Sequence, residues 1–283
     1  ILKLEKPIKV LFEGVNLDVY KKIKKFTNKD LNNKINSIPE DFAYLNVGHW
    51  MQGDLGHDRK NIGLTVKAFY EVFKGKPKKP ALILKTCAVG GSNNDREEML
   101  RRINLIRESV KGDDLPNVYL LHGDFTDIEM NEIYNNPKIK AMISLTKGEG
   151  FGRPLLEFSV LNKPIITTGW SGHVDFLSKD YCALLGGELE KVHPSAQVKD
   201  MILGEAQWFK VGDQWIANGY FKTVSAISVV MTFANLALNY YLIPIYGLNG
   251  AIIATCSVYL ASLFINGGMI IKMECRWRNK STA

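Results

Sequence analysis

The chain has 283 residues, of which 46% are hydrophobic, so it can bury the core of one large domain or of two modest ones. Its formal net charge is +7, and residues 1–45 and the segment after Ile271 carry +3 each, so the basic excess lies at the two ends. Nucleic-acid-binding proteins more often carry a basic stripe across the folded body, which argues against that class. The four cysteines form no CxxC pair and have no histidine at metal-ligand spacing, so no metal site is expected.

Apolar runs and helical patterns alternate through the first 210 residues. Strands are predicted at Ile8–Phe12, Phe42–Val47, Ala81–Lys85, Val118–His122, Ala141–Leu145 and Pro164–Thr168. Helices are predicted between them at Asn61–Phe73, Arg96–Val110, Asp127–Asn135 and Pro154–Leu161. This alternation is typical of βαβ units, so the sequence predicts an α/β fold with a Rossmann-like parallel sheet and helices on both faces. Ligands bind such sheets at the carboxyl ends of the strands.

A glycine-rich segment joins the fifth predicted strand to the fourth predicted helix. Gly148, Gly150 and Gly152 would let the backbone turn sharply and approach a ligand closely, and the start of the following helix would favour a phosphate. Glu149 lies in this loop and Glu157 about one turn into the helix, so both carboxylates could accept hydrogen bonds from sugar or ribose hydroxyls. The alternative is a glycine-rich loop with a capping glutamate and no ligand.

A long uncharged segment follows the α/β region. From Thr223 to Ile271 there is no Asp, Glu, Lys or Arg in 49 consecutive residues. Two stretches, 221–242 and 250–271, each reach the roughly 20 apolar residues of a spanning helix, and 243–250 carries turn signals. The segment predicts an all-α transmembrane hairpin, with a pair of buried soluble helices as the alternative. Basic residues flank only its outer ends, which places the α/β domain on the cytoplasmic side of the membrane.

Glu149 and Glu157 match the E-x7-E motif of retaining glycosyltransferases with the GT-B fold, glycosyltransferase family 4 in particular. Further segments that resemble this family are Val10–Asn16, Asn46–Trp50, Arg59–Ile62, Val118–Gly123 and Pro164–Asp175. The resemblance covers about residues 8–210. It implies the C-terminal, donor-binding half of a GT-B enzyme that transfers sugar from a nucleotide-sugar in polysaccharide biosynthesis.

The resemblance also implies roles for individual residues. Glu157 would hold the donor ribose, and Glu149 would hold the transferred sugar or lie near its phosphate. Lys60 would neutralise the departing diphosphate, and Arg59 is a weaker candidate that could equally be a solvated surface charge. No metal or other cofactor is implied. The further donor-binding residues implied by position are Gly148, Gly150, Phe151, Gly152, His122 and Gly172. Many family members carry an arginine where this chain has His49, a weaker partner for a diphosphate.

Residues 212–255 are similar to polysaccharide flippases of the O-antigen transporter type. Three regions are therefore predicted: 1–43, an interdomain crossing segment with a remnant of an N-terminal domain; 44–210, the nucleotide-sugar-binding domain; and 211–283, a two-helix transmembrane tail. The expected partners are a nucleotide-sugar donor, a lipid-linked saccharide as candidate acceptor, and the membrane through 221–271. Because so little precedes residue 44, the acceptor domain is expected to be missing and the chain to be inactive. The alternatives are a non-catalytic, membrane-tethered donor-binding remnant and a flippase fragment.

Overall fold

The computed structural model describes residues 9, 11–88, 90–198, 202, 205–212, 235, 237–247, 249, 253–255 and 257. The chain divides into two compact units, Ile1–Ala217 and Asn218–Ala283. The first unit contains the sheet and the helices that position the candidate site.

The first unit is built on a parallel sheet of six strands. Its members are β1 (Ala43–Val47), β2 (Ala81–Lys85), β3 (Val118–Leu121), β4 (Ile139–Ser144), β5 (Ile165–Thr168) and β6 (Cys182–Leu185). They are arranged in the order β3-β2-β1-β4-β5-β6, and every neighbouring pair is parallel. A separate antiparallel hairpin follows, formed by β7 (Gly187–Lys191) and β8 (Gln207–Val211).

Among the described residues of the first unit, five α-helices accompany the sheet: α1 (Lys29–Asn36), α2 (Ile62–Phe73), α3 (Asn93–Ser109), α4 (Asp127–Asn135) and α5 (Arg153–Ser159). Short polar side chains begin three of them, because they satisfy backbone N–H groups that have no partner inside the helix. Asn28 caps α1, Ser92 caps α3, and Thr126 forms a capping box with Glu129 at the start of α4.

Helices cover both faces of the sheet. Successive strand residues point to opposite faces, and neighbouring β1 residues show the two layers. Leu45 belongs to a buried cluster with Tyr134 of α4 and Phe158 of α5. Tyr44 points to the other face, where its ring centroid lies 6.2 Å from that of Phe69 in α2. The predicted α/β sheet with helices on both faces is therefore confirmed.

The strand order indicates where a ligand is expected to bind. From β1 the chain builds outward through β2 to β3, then returns to place β4 on the other side of β1. In open α/β sheets the loops that leave two such strands run in opposite directions and form the crevice in which ligands bind, so a ligand is expected between the loops that leave β1 and β4. These loops comprise residues 48–61 and 145–152.

The segment that precedes the sheet lies along α4. Asn131 and Asn135, one turn apart on this helix, accept hydrogen bonds from the backbone N–H groups of Lys21 at 3.2 Å and Ile23 at 3.0 Å. Glu132 accepts from the backbone N–H groups of residues 27–28. Polar side chains of α4 thus pair the backbone of an irregular segment that would otherwise leave its donors unsatisfied.

Five of the six predicted strands form within two residues of their expected bounds. The predicted strand Ile8–Phe12 is wrong over its described residues, which lie outside any strand. Leu11 is 94% and Phe12 61% exposed, and neither residue pairs with a neighbouring strand. The two strands of the hairpin, together with α1 and β6, were not predicted.

Residues 237–246 of the second unit are helical, so this helix extends four residues into the link predicted at 243–250. Gly247, with φ of +57°, follows the helix. Across the described residues, no helix is both long enough and apolar enough to cross a bilayer. Most of the two predicted spans, 221–242 and 250–271, lies outside the described residues, so the hairpin stays a prediction.

Candidate functional site

The crevice between β1 and β4 brings together the loops that carry the predicted site. A backbone hydrogen bond of 2.8 Å from the Lys147 N–H to the Arg59 carbonyl ties the loop after β4 to the loop after β1. Arg59 also donates from Nη1 to the Gly148 carbonyl at 2.8 Å. The two loops are therefore joined by both backbone and side chain at the position where sequence similarity predicts a donor.

A buried ion pair joins the loop after β1 to the loop after β4. Lys60 Nζ is 2.5 Å from Glu149 Oε1, and the two side chains are only 12% and 9% exposed. Burial lowers the pKa of Lys60, while the Glu149 carboxylate opposes this shift. Arg59 Nη1 approaches the other carboxylate oxygen to 3.7 Å and stays 40% exposed. Two cations thus surround one carboxylate, which leaves a net positive charge for an anionic ligand.

The glycines of the site are constrained to different degrees. Gly152 begins α5 with φ of +92°, in a backbone region that side chains rarely adopt. A Cβ on Gly172 would lie 2.1 Å from the Gly150 carbonyl oxygen, so only glycine fits there. A Cβ on Gly150 itself would meet nothing within 4 Å. Gly172 therefore supports the loop through close backbone contact; a donor contact for Gly172, Gly148 or Gly150 stays a prediction.

Glu157 is 5% exposed and is held by two neighbours. Tyr134 donates its hydroxyl to Oε2 at 3.1 Å, and Arg153 donates from Nε to Oε1 at 2.9 Å. Burial and the Glu157 carboxylate raise the pKa of Tyr134, so its hydroxyl stays a donor. Each carboxylate oxygen has a second lone pair, so Glu157 can still accept from a ligand hydroxyl. Its role toward ribose stays a prediction.

Two histidines near the strand ends have partners within the domain. His122 follows β3, and its Nε2 lies 2.8 Å from Asp95 Oδ2, with the histidine side chain 7% exposed. His49 follows β1, and its Nδ1 lies 3.3 Å from Cys87 Sγ. Neither histidine contacts the Lys60 pair among the contacts described, so the structure brings Arg59, Lys60 and Glu149 together and holds His122 apart from them.

The Phe151 ring packs against the Phe176 ring rather than against the Lys60–Glu149 pair, and the two ring centroids are 5.2 Å apart. Among the described residues, no cluster of three or more His, Cys, Asp or Glu side chains could hold a metal ion.

The β7–β8 hairpin contributes to the site, although the sequence did not predict it. Lys147, which is 3% exposed, pairs through Nζ with Glu190 Oε1 of β7 at 3.0 Å. The backbone N–H of Phe209 in β8 donates to the Lys147 carbonyl at 2.9 Å. The hairpin therefore fixes the start of the glycine loop. A lysine and a glutamate 43 positions apart give no local signal that they pair.

Ser171 is a second contributor that the sequence did not single out. Its hydroxyl donates to the Glu149 carbonyl at 2.6 Å and is 3.1 Å from the Glu149 nitrogen, whose N–H it accepts. The loop after β5 thus holds the backbone of the central carboxylate residue.

His173 is a buried histidine in the loop after β5 whose protonation is expected to destabilise the unit. It is fully buried, and its Nε2 donates to the Thr168 carbonyl at 2.6 Å, while Nδ1 has no partner among the described residues. Burial lowers the pKa of His173 below 6.5, with Lys60 adding to this effect and the Thr168 and Glu149 oxygens opposing it. A protonated ring would place a second N–H where no described group accepts it.

The free energy of unfolding is therefore expected to fall as the pH decreases from about 7 to about 5. The unfolded state takes up the proton first, and each such group contributes a slope of at most about 1.4 kcal/mol per pH unit. Urea unfolding as a function of pH should show a shallower slope for His173→Gln than for the unaltered chain. His57, whose pKa burial also lowers, remains in both proteins. Identical slopes would show that His173 is not the titrating group.

No protein-family model and no curated protein matches the chain. Among solved structures, it is similar to the C-terminal domain of a glycosyl transferase group 1 family protein (LpcC) from Francisella tularensis. The identity is 15% over 60% of this chain and 80% of that chain, with a TM-score of 0.42. It is also similar to HepE from Anabaena in complex with UDP and glucose, at 16% identity over 62% of this chain and 43% of that one, with a TM-score of 0.41.

A third similar structure is α,α-trehalose 6-phosphate synthase from Burkholderia multivorans, at 10% identity over 91% of this chain and 47% of that one, with a TM-score of 0.44. The chain spans less than half of this enzyme and of HepE. At these identities and TM-scores, the likeness supports no statement about activity. None of the three matches supports the predicted join to a flippase-like segment, which stays a prediction.

Proposed function

We propose that the α/β unit binds a nucleotide-sugar donor and serves glycosyl transfer with retention of configuration. The observation that carries this proposal is the buried Lys60–Glu149 pair, flanked by Arg59, in the crevice between β1 and β4. The E-x7-E resemblance supports it independently, because the same Glu149 is the first acid of that motif.

The chemistry of the leaving group explains why cations lie in this position. When the bond between the anomeric carbon and the phosphate oxygen breaks, the electron pair remains on the diphosphate, which gains negative charge. A fixed cation with little solvent around it stabilises such charge more strongly than water does. Lys60 has three N–H donors, so it can keep Glu149 and still bind a phosphate oxygen. We propose that Arg59 adds a second contact and that no metal is required.

Glu149 has a different task in this proposal. Its carboxylate accepts hydrogen bonds only, and the Lys60 ammonium occupies one oxygen at 2.5 Å. The other oxygen, 3.7 Å from the Arg59 guanidinium, can accept from a sugar hydroxyl. We propose that Glu149 orients the transferred sugar beside its diphosphate, which raises the fraction of bound donor in a reactive geometry.

Replacing Glu157 by alanine is expected to weaken nucleotide binding by roughly 1–3 kcal/mol, because charge-assisted hydrogen bonds to the ribose are lost. Calorimetry with a panel of nucleoside diphosphates and their sugar conjugates, in the presence of EDTA, measures this directly. Tyr134→Phe is the matched control. It removes the hydroxyl that donates to Glu157 at 3.1 Å but keeps the carboxylate, so it should retain most of the affinity.

Three outcomes distinguish the possibilities. Equal affinity of the unaltered chain and Glu157→Ala would exclude the ribose role. Binding that disappears in EDTA would overturn the proposal that Lys60 and Arg59 replace a metal. Binding without transfer of sugar to lipid-linked or saccharide acceptors would select the alternative of a non-catalytic donor-binding protein, whereas no binding of any nucleotide-sugar would refute the proposal itself.

A further inference from the structure

Ser171 occupies a backbone conformation that side chains avoid. Its φ is +83° and its ψ is −170°, in a region that is populated almost entirely by glycine. The next residue is Gly172, and the chain enters a single 3-10 turn there. A residue with a side chain persists in such a conformation only where its surroundings compensate for the strain.

The compensation comes from contacts with one residue. The Ser171 hydroxyl donates to the Glu149 carbonyl at 2.6 Å and accepts from the Glu149 backbone N–H, with the two atoms 3.1 Å apart. The backbone N–H of Gly172 donates to the same carbonyl at 3.1 Å. Both peptide groups of Glu149 are thus paired with the loop after β5, while Lys60 holds its carboxylate.

The hydroxyl of Ser171 explains why a serine occupies this position, whereas the backbone conformation alone would favour glycine. Glycine would adopt this conformation without strain but would offer no side chain to Glu149. Alanine would keep the strain and lose the hydrogen bonds. Only a small side chain with one donor and acceptor satisfies both peptide groups of a neighbouring loop at this distance.

We propose that Ser171 is a positioning residue, which holds the Glu149 backbone so that the carboxylate faces the donor sugar. The role toward the sugar rests on the proposed function of Glu149. The structural part of the proposal does not depend on a ligand. The Ser171 hydroxyl holds the glycine loop in place, and the backbone strain at Ser171 is the energetic cost of that contact.

The test compares Ser171→Gly with Ser171→Ala in the full chain. Ser171→Gly should leave the melting temperature close to that of the unaltered chain, because the relieved strain offsets the lost hydrogen bonds, and should speed hydrogen exchange of the Glu149 amide by about tenfold, the scale for losing one hydrogen bond. Its affinity for UDP-glucose and related nucleotide-sugars should fall by about the same factor, while its affinity for the nucleoside monophosphates should not change. Ser171→Ala should show the same losses together with a lower melting temperature, because it keeps the strain and loses the hydrogen bonds.

A double-mutant cycle identifies the route of the effect. If Ser171 acts through Glu149, adding Ser171→Gly to Glu149→Ala should change nucleotide-sugar affinity by less than about twofold. An unchanged exchange rate of the Glu149 amide in Ser171→Gly would overturn the positioning role, and so would a fall in melting temperature with exchange accelerated throughout the unit. If the unaltered chain binds no nucleotide-sugar, the proposed function fails, while the exchange measurement still decides whether Ser171 holds the loop.

Discussion

A chain that carries both Lys60→Met and Glu149→Gln is expected to recover most of the stability that either substitution alone removes, and still to bind no nucleotide-sugar. Glu149→Gln leaves Lys60 buried without its carboxylate, and Lys60→Met leaves Glu149 with only the more distant Arg59, 3.7 Å away; the Lys60 and Glu149 side chains are 12% and 9% exposed. Breaking a buried pair from one side costs about 3–5 kcal/mol, whereas replacing both partners by neutral side chains of similar size is often nearly neutral. Urea unfolding and calorimetry on the three variants separate the stability effect from the binding effect.

The surface pair formed by Lys74 and Glu71 is the matched control. These side chains are 40% and 42% exposed and lie three residues apart at the end of α2. Exposed pairs contribute about 0–1 kcal/mol, so Lys74→Met, Glu71→Gln and their combination should change little. If the Lys60 and Glu149 variants behave like this control, the pair is not buried in solution. If the double variant still binds nucleotide-sugars with full affinity, the pair is not the donor site.

The parallel sheet was predictable because its strands carry their own signal. β1, β2 and β4 are buried at all but one position each and therefore read as short, largely apolar runs between helical patterns. The loop after β4 was also predictable from a local signal. Three glycines lie close together there, and two glutamates, Glu149 and Glu157, stand eight residues apart. Loop positions at the ends of parallel strands converge by topology, which is why Lys60 and Glu149 meet across 89 residues.

The elements that escaped prediction lack such local signals. β7 reads Gly-Glu-Leu-Glu-Lys and is mostly exposed, so it has no apolar face to reveal it. α1 contains only two buried residues, Leu31 and Ile35, among polar neighbours. The strained backbone of Ser171 cannot be read from its residue type, because serine seldom adopts that conformation. In contrast, Ile8–Phe12 has the apolar composition of a strand but finds no partner over its described residues, which is a tertiary effect.

Gly172→Ala, in the loop after β5, is expected to disrupt the site more than alanine at Gly148 or Gly150 in the loop after β4. The new Cβ would lie 2.1 Å from the Gly150 oxygen, 2.8 Å from the Gly150 carbon and 3.1 Å from the Glu149 oxygen. All three are backbone atoms, so no side chain can rotate away and the loop itself must shift. Such overpacking costs about 1–3 kcal/mol, and the free energy of unfolding measured in urea should fall by that amount.

Gly150→Ala provides the control for stability in the same loop. A Cβ there meets nothing within 4 Å, and the backbone does not adopt the left-handed region. The change should stay within about 0.5 kcal/mol, as for substitutions away from packed features. Similar losses for Gly150→Ala and Gly172→Ala would show that the loop responds to flexibility rather than to the close approach at Gly172.

The part of the backbone that shifts in Gly172→Ala determines how the substitution affects nucleotide-sugar binding. Gly172 lies against the backbone carbonyl groups of Glu149 and Gly150. Displacing these groups is expected to move the Glu149 carboxylate away from Lys60 and the proposed sugar. Nucleotide-sugar affinity should therefore fall by about tenfold or more in Gly172→Ala, since a misplaced contact loses most of a charge-assisted hydrogen bond. A variant that loses stability yet binds donors with full affinity would place Gly172 in the scaffold alone and would leave Glu149 fixed by Ser171 and Lys60.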